Sequence, residues 1–307
     1  MTRYIIKRIL SGVFTIWVTT MAVTLLIHLV PGDPVQIMFA QSQSTTPEQL
    51  EQIRHQLGLD RPIYEQYILY MGRVLQGDFG NTIRGNQPVL DLLLGRLPNT
   101  LLLAFSSLVI TILIGVPTGF FAAYKRASWV DTTLMTGAII GISIPSFWLG
   151  LMLMYVFSIR LGWLPVAGTD FKNLILPALT LGLANAAAVS RLTRSSMLDS
   201  LSQDYTRTAR AKGLGEGVVL SRHAFPNGVI NVVNMLGLQF THMMGGAIVV
   251  ENVFAWNGIG RLAIQSIFQR DYPTIQGFIL IFASVVVSVS IFLDILYVWL
   301  DPRISYD

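Results

Sequence analysis

The sequence predicts an all-α integral membrane protein with six transmembrane helices and a small extracytoplasmic helical segment after the first. Three observations carry that prediction. Of 307 residues, 52% are hydrophobic and only 12% charged, where soluble domains carry roughly a quarter charged. The apolar residues gather into six runs free of Asp, Glu, Lys and Arg, each long enough to supply the roughly 17–25 residues that cross a hydrocarbon core. Lys and Arg are also unevenly shared. With the N-terminus inside, the short cytoplasmic segments carry twelve basic residues, and the short outside loops carry four, Arg160, Lys172, Arg261 and Arg270. That is the positive-inside pattern. The net charge of +4 therefore reflects topology, and no nucleic-acid partner is needed to explain it.

The chain reads as one transmembrane domain over 1–307. Span one, about 9–30, follows Arg3, Lys7 and Arg8, but its apolar run exceeds that of a signal peptide and ends without a small-residue cleavage site, so it is expected to be retained. Segment 31–98 is placed outside the membrane. Within it, Thr46, Pro47 and Gln49 open a helix over 47–57 that Gly58 stops, as a cap, a first-turn proline and a terminating glycine do. A second helix, about 62–76, is read from Ile63, Tyr67, Tyr70 and Val74 at helical spacing.

Spans two (101–124), three (132–159) and four (173–191) contain Pro117, Pro145 and Pro177, each expected to kink its helix by removing a backbone donor. Gly115/Gly119 and Gly137/Gly141 have the spacing that lets helices approach closely. Spans five (228–250) and six (274–300) follow a cytoplasmic loop over 192–227.

Ionisable groups inside the spans are few: His28, His242 and Asp294. Ion-coupled carriers use relays of such groups, and these three do not make one. The histidines are expected near a span end or packed between helices rather than as metal ligands. Asp294 is expected to anchor span six near Asp301-Pro302-Arg303. The chain has no G-x-x-x-x-G-K-[ST] loop, no H-E-x-x-H and no G-x-S-x-G, and no paired intramembrane carboxylates for acid–base work. With no cysteine, disulfides and thiolate metal sites are excluded. Any work this chain does draws its energy from elsewhere.

The polar island 191–227 holds six of the 21 basic residues. Ser200 with Gln203 fits a capping pattern, Gln203 to Lys212 reads as a helix, and Gly213 suits the left-handed residue that ends one. Thr208, Ala209 and Ala211 offer small side chains to a partner's backbone, and Arg207, Arg210 and Lys212 form a positive rim. A second short helix, Glu216 to Ala224, leads to Pro226, where the chain turns into span five. Physically this is either a rigid lever docked into an acidic groove or a basic loop held near anionic lipid.

The island resembles the EAA loop of ABC importer permeases, E-A-A-x-x-x-G followed by a hydrophobic residue and Pro. Arg207 and Thr208 stand at the Glu and first Ala positions, while Ala209, Gly213 and Pro226 fit. The stretch Asp204-Tyr205-Thr206-Arg207-Thr208-Ala209-Arg210-Ala211-Lys212-Gly213 is the form found in the dipeptide/oligopeptide/nickel branch. Further agreement runs through Pro31-Gly32-Asp33-Pro34, Leu57-Gly58-Leu59-Asp60, Gly77-Asp78-Phe79-Gly80, Arg191-Leu192-Thr193-Arg194-Ser195-Ser196-Met197, Gly258-Ile259-Gly260-Arg261, Arg270-Asp271-Tyr272-Pro273 and Asp301-Pro302-Arg303. Asn257 departs from a frequent Pro. The element after span one looks like that of the B-type member of the permease pair.

The resemblance implies a type I ABC importer permease, a non-catalytic multi-pass subunit of the plasma (inner) membrane with both termini cytoplasmic. It implies a second homologous permease, two cytoplasmic ATP-binding subunits, and an extracytoplasmic substrate-binding protein touching 31–98 and 251–273. ATP and Mg would be used by the ATPases, with no catalytic, cofactor or metal site in this chain. ATPase coupling would fall to Asp204, Tyr205, Arg207, Thr208, Ala209, Arg210, Ala211, Lys212, Gly213 and Pro226. Di- or oligopeptides are the expected cargo, with nickel, a metal chelate or glutathione as alternatives on the same machinery. An ion-coupled carrier, the reading from another class, lacks the charges it would need.

Overall fold

The structure, a computed structural model, describes residues 2–29, 60–83, 85–168 and 170–300. The helix expected over 47–57, the 31–34 element, Thr46, Gly58 and the 301–303 motif lie outside the described residues, as does the His28 side chain. Among the described residues the elements are helices: α1 (Thr2–Leu29), α2 (Ile63–Val74), α3 (Val89–Tyr124), α4 (Trp129–Ser143), α5 (Ser146–Arg160), α6 (Phe171–Leu201), α7 (Asp204–Ala211), α8 (Glu216–Val253), α9 (Ile259–Gln269) and α10 (Tyr272–Leu300). Five of these are long and apolar enough to cross a membrane, six if the bent pair α4–α5 counts as one. This is the all-helical multi-span class that the apolar runs predict.

The chain divides into two units, 1–98 with 262–307, and 99–261. In the first, α1 lies along α10, and Gly12 permits the contact: a Cβ there would sit 2.6 Å from Val287. The Arg8 guanidinium pairs with Asp294. Asp294, expected to anchor the end of span six, ties that end of α10 to α1; the neighbouring 301–303 motif lies outside the described residues. Helix α2 rests on α1 through Tyr67, whose hydroxyl lies 2.9 Å from the Thr20 hydroxyl. It ends at Gly77, which takes φ +83°.

The second unit is organised around α6, whose 31 residues rise about 46 Å, longer than the ~30 Å hydrocarbon core. Leu174, Leu176 and Leu181 pack with Met243, Ala247 and Val250 of α8. Helix α3 approaches α6 at backbone distance. A Cβ on Gly119 would fall 2.3 Å from the Ser190 carbonyl oxygen, one on Gly115 2.9 Å from that of Ala186, and one on Gly182 3.0 Å from that of Ser107. Across this seam Thr111 donates to the Gly182 carbonyl at 2.9 Å, and Thr118 to the Ser190 hydroxyl at 2.9 Å. Gly115/Gly119 are therefore spent inside the chain. Gly137 meets nothing, and Gly141 meets only the Ala187 methyl at 3.3 Å.

The prolines behave unequally. Pro145 breaks the expected third span into α4 and α5, which meet at 102°; Ile144 before it is extended (φ −84°, ψ 122°), as a residue preceding proline prefers. Pro177 sits inside α6 and Pro117 inside α3, both of which run on. Pro226 does not turn the chain either. Helix α8 passes through it, after a π-helical stretch over Val219–Ala224. A proline without N–H leaves an upstream carbonyl free, and a widened turn is one way a helix absorbs that.

These contacts set a test of the α3–α6 seam. Gly119→Val should abolish recovery of monodisperse protein in detergent, because the branched side chain meets backbone and cannot relax. Gly137→Val, in open space, should elute and melt within a few degrees of wild type. Equal behaviour of the two variants in size-exclusion and thermal-shift measurements would mean that the seam is not held at backbone contact.

Candidate coupling site

The polar island is almost entirely helical. Helix α6 runs on to Leu201, so Arg191, Arg194 and Ser200 belong to it rather than to a loop, and Ser200 does not cap α7. Helix α7 begins at Asp204. Its first turn is held by the buried Thr206, whose hydroxyl reaches the Gln203 carbonyl at 2.6 Å and the Leu201 carbonyl at 2.8 Å. Its end follows the sequence expectation: Gly213 adopts φ +80°, Gly213 N–H donates to Arg210 O at 2.9 Å, and Leu214 N–H to Ala209 O at 3.4 Å. This paired reversal satisfies carbonyls that the last turn leaves free.

The predicted coupling residues divide by direction. Asp204, Tyr205, Arg207, Thr208, Arg210, Ala211, Lys212 and Gly213 are exposed, as is Pro226, but Ala209 is buried. Ala209 therefore cannot offer itself to a partner, as its small size suggested; with Thr206 it seats α7 on its own chain. Opposite the buried Thr206 and Ala209, the outward face of α7 carries Asp204, Arg207, Thr208 and Ala211, all exposed. The positive rim is thinner than the sequence implies. Arg210 makes two bonds to Glu216, at 2.7 and 3.0 Å, and Arg207 lies 3.4 Å from Asp204. The hydrogen bonds from Arg210 hold the Glu216 carboxyl below the usual carboxylate range. The pair is thus intact at neutral pH and lost only as pH falls through that lowered value. Both groups are substantially exposed, so it contributes at most about 1 kcal/mol. Its effect is geometric: it fastens α7 to the start of α8.

Beneath α7 lies an apolar cluster of Ala123 (α3), Met197 (α6), and Leu220 and Ala224 (α8), with Phe120, Leu201 and Phe225 packed against it. Phe120 and Phe225 meet edge to face at 5.7 Å. One turn further in, Arg194 of α6 clasps Asp131 of α4 with two bonds, at 2.6 and 2.7 Å. Asp131 is 5% exposed and also accepts from Ala127 N–H at 3.0 Å. Sequence reading missed this clasp because its members stand 63 residues apart; the available signal was a lone Asp in the first turn of an apolar helix. The α3, α6 and α8 segments that meet in this cluster are thus joined to α4 by a charge-assisted fork from α6.

A second polar knot lies at the opposite end of α8. Glu251, fully buried, accepts from Thr100 at 2.5 Å and from Arg261 N–H at 3.0 Å, and Thr100 in turn accepts from Ile259 N–H at 2.9 Å. Gly258 and Gly260 make room: a Cβ on Gly258 would lie 2.2 Å from the Glu251 carboxylate. Trp256 donates to the Asn99 carbonyl at 3.0 Å. The 251–273 stretch, expected to touch the binding protein, is a fastened turn followed by α9.

The family described as binding-protein-dependent transport system inner membrane component matches residues 115–306, and the N-terminal part of that component matches residues 1–104. The chain belongs to this family. It is the permease subunit of an ABC importer, a multi-pass inner-membrane protein. The permease is 44% identical over 307 residues, the full length of both chains, to the glutathione transport system permease protein GsiC of Escherichia coli (strain K12), and equally to that of Shigella dysenteriae serotype 1. Its fold is similar to that of the MetNI methionine ABC transporter in an inward-facing conformation (TM-score 0.58, 18% identity, 68% of this chain and 96% of that one). An amino acid ABC transporter chain also matches, with TM-score 0.53 and 20% identity over 67% and 92% of the two chains.

The Asp131–Arg194 clasp yields a stability prediction for the permease. Arg194→Leu strands a buried carboxylate and should lower stability by about 3–5 kcal/mol. Adding Asp131→Asn should restore much of that loss, read as the melting temperature of the purified protein. A double variant no more stable than Arg194→Leu would show that the pair is not a closed electrostatic unit.

Proposed function

We propose that this permease, with a second homologous permease, forms the membrane path of an importer for short peptides, of which glutathione is the first to test. The observation that carries this reading is the 44% identity with GsiC, named for glutathione transport, over the full length of both chains. Glutathione is itself a tripeptide, so the reading unites the peptide cargo expected from the motifs with one of its stated alternatives. Both termini and the α7 region face the cytoplasm, and 31–98 faces out, on the strength of the twelve-to-four distribution of basic residues.

On this reading a cytoplasmic ATPase subunit docks on the outward face of α7, at Asp204, Arg207, Thr208 and Ala211, and a second ATPase docks on the partner permease. Closure of the ATPases pushes α7. Thr206, Ala209 and the Arg210–Glu216 pair pass that displacement to α6 and α8 together, since both ends pack on the same apolar cluster. Through Arg194 it reaches α4. The transition is a rigid-body motion of packed helices. The permease itself hydrolyses nothing, and an extracytoplasmic binding protein delivers the cargo.

Uptake of radiolabelled glutathione into proteoliposomes holding both permeases, both ATPases and the binding protein should require internal ATP and be competed by short peptides. Uptake of a nickel chelate alone, with none of glutathione or peptides, would overturn the cargo assignment.

Orientation is open to cysteine labelling, since the native chain has no Cys. An impermeant reagent applied outside should label Gln52→Cys and spare Ser221→Cys; the reverse would invert the topology.

Coupling is tested at Gly213. Its φ of +80° makes a β-branched residue strained by about 1–2 kcal/mol, although no side chain crowds the site. Gly213→Val should insert normally yet lower substrate-stimulated ATPase activity and uptake together, while Gly217→Val, also uncrowded and outside α7, should do less. Wild-type coupling in Gly213→Val would remove α7 from the transmission path.

A further inference from the structure

Most spanning helices show the membrane what lipid accepts. The exposed face of α1 carries Leu10, Val13, Phe14 and Trp17, and that of α3 carries Leu102, Phe105, Leu113 and Phe121. Helix α8 differs. Its buried side, with Val232, Met243, Ala247 and Val250, packs into the core with α6. Its other side presents Asn231, Asn234, Leu238, His242, Gly245 and Val249, successive steps of three or four residues down one face. All are exposed except Asn234, which is half-buried. From Asn231 to Val249 the stripe runs about 27 Å along the helix, close to the ~30 Å hydrocarbon thickness.

His242, expected to pack between helices or sit at a span end, instead stands exposed near the middle of this stripe. It makes no hydrogen bond or ion pair among the described residues. The His242 imidazole and the Asn231 carboxamide, both exposed, would forfeit hydrogen bonds if set in lipid at that depth, at a cost that makes such placements rare outside water-filled or protein-lined faces.

We propose that this face of α8 lines the water-filled path through which cargo passes, and that His242 is a specificity-determining residue that hydrogen-bonds the carboxylate or peptide carbonyl of the passing substrate. The inference rests on the importer reading above and adds the residues that meet the cargo. The chemistry fits a peptide. An imidazole N–H donates to a carboxylate or amide oxygen in either protonation state, and the exposed Asn231 side chain offers both a donor and an acceptor to a peptide backbone. Leu238, Gly245 and Val249 leave stretches of wall without polar hold, so binding along the path stays weak enough to release.

The test uses the complete complex in proteoliposomes, with single cysteines at Asn231, Leu238, His242 and Gly245 and at the lipid-facing control Leu113. A charged, membrane-impermeant methanethiosulfonate reagent should modify the four stripe cysteines at least tenfold faster than Leu113→Cys, and S-methylglutathione or trialanine, neither of which carries a thiol that would consume the reagent, should slow the reaction. His242→Ala should raise the KM for glutathione uptake severalfold, and His242→Gln, which keeps a donor, should recover part of it. Stripe cysteines that react no faster than Leu113→Cys, or that crosslink readily to the second permease while resisting the reagent, overturn the pathway. An unchanged KM in His242→Ala overturns the role of His242. A stripe that reacts rapidly in a complex that moves trialanine but not glutathione leaves the path standing and sinks only the glutathione assignment.

Discussion

The backbone-to-backbone contact of α3 with α6 is the constraint on which the second unit depends. Lipid offers no hydrophobic drive for helices to associate, so close van der Waals approach and a few cross-helix hydrogen bonds must hold them. Gly115, Gly119 and Gly182 bring the two rods within reach of each other's carbonyls, and Thr111 and Thr118 close the seam. Helix α6, fixed in this way, gives α8 its apolar bed and gives α4 an ion-pair partner in Arg194. Because α6 continues unbroken to Leu201, the same rod that is gripped within the membrane ends beneath α7. Only the two-residue turn Ser202–Gln203 separates the end of that rod from α7.

Much of this was readable from sequence, and the readable parts have a common cause. Runs of apolar residues report burial in lipid whatever the tertiary partners are, so the class and the helices followed from composition and length. Gly213 was legible because a left-handed helix end is a local requirement, met within six residues. The prolines were only half legible. Whether a helix breaks depends on what re-satisfies the freed carbonyl, and that is supplied by neighbours or by a widened turn. Pro145, preceded by an extended Ile144, broke its span; Pro177 and Pro226 did not.

The candidate site shows the same division. The sequence placed the polar island and the residues of α7 correctly along the chain, but not their directions. Ala209 looks available to a partner and is instead an internal foot, and Arg210 looks like part of a cationic rim and is a fastener to Glu216. Asp131 with Arg194, and Glu251 with Thr100, were out of reach because their members stand 63 and 151 residues apart. What pattern alone cannot supply is pairing at a distance, and in a membrane chain with few charges each such pair fixes a large piece of geometry.

The two units also differ in when each can be completed. The unit over 99–261 is contiguous, so every partner of α6 has left the ribosome before span six is made. The other unit is split, its halves supplied by the first 98 residues and the last 46. Arg8 enters at the membrane's edge among the earliest residues synthesised, and its partner Asp294 is among the last, 286 positions later. Helix α1 must therefore wait in the bilayer, its charge held at the interface, until α10 arrives. Contacts of such long sequence separation form slowly, and domains assemble in order of emergence. Truncation near the C-terminus would leave the contiguous unit whole and strand the N-terminal helix, which makes the final span the step that certifies a finished chain.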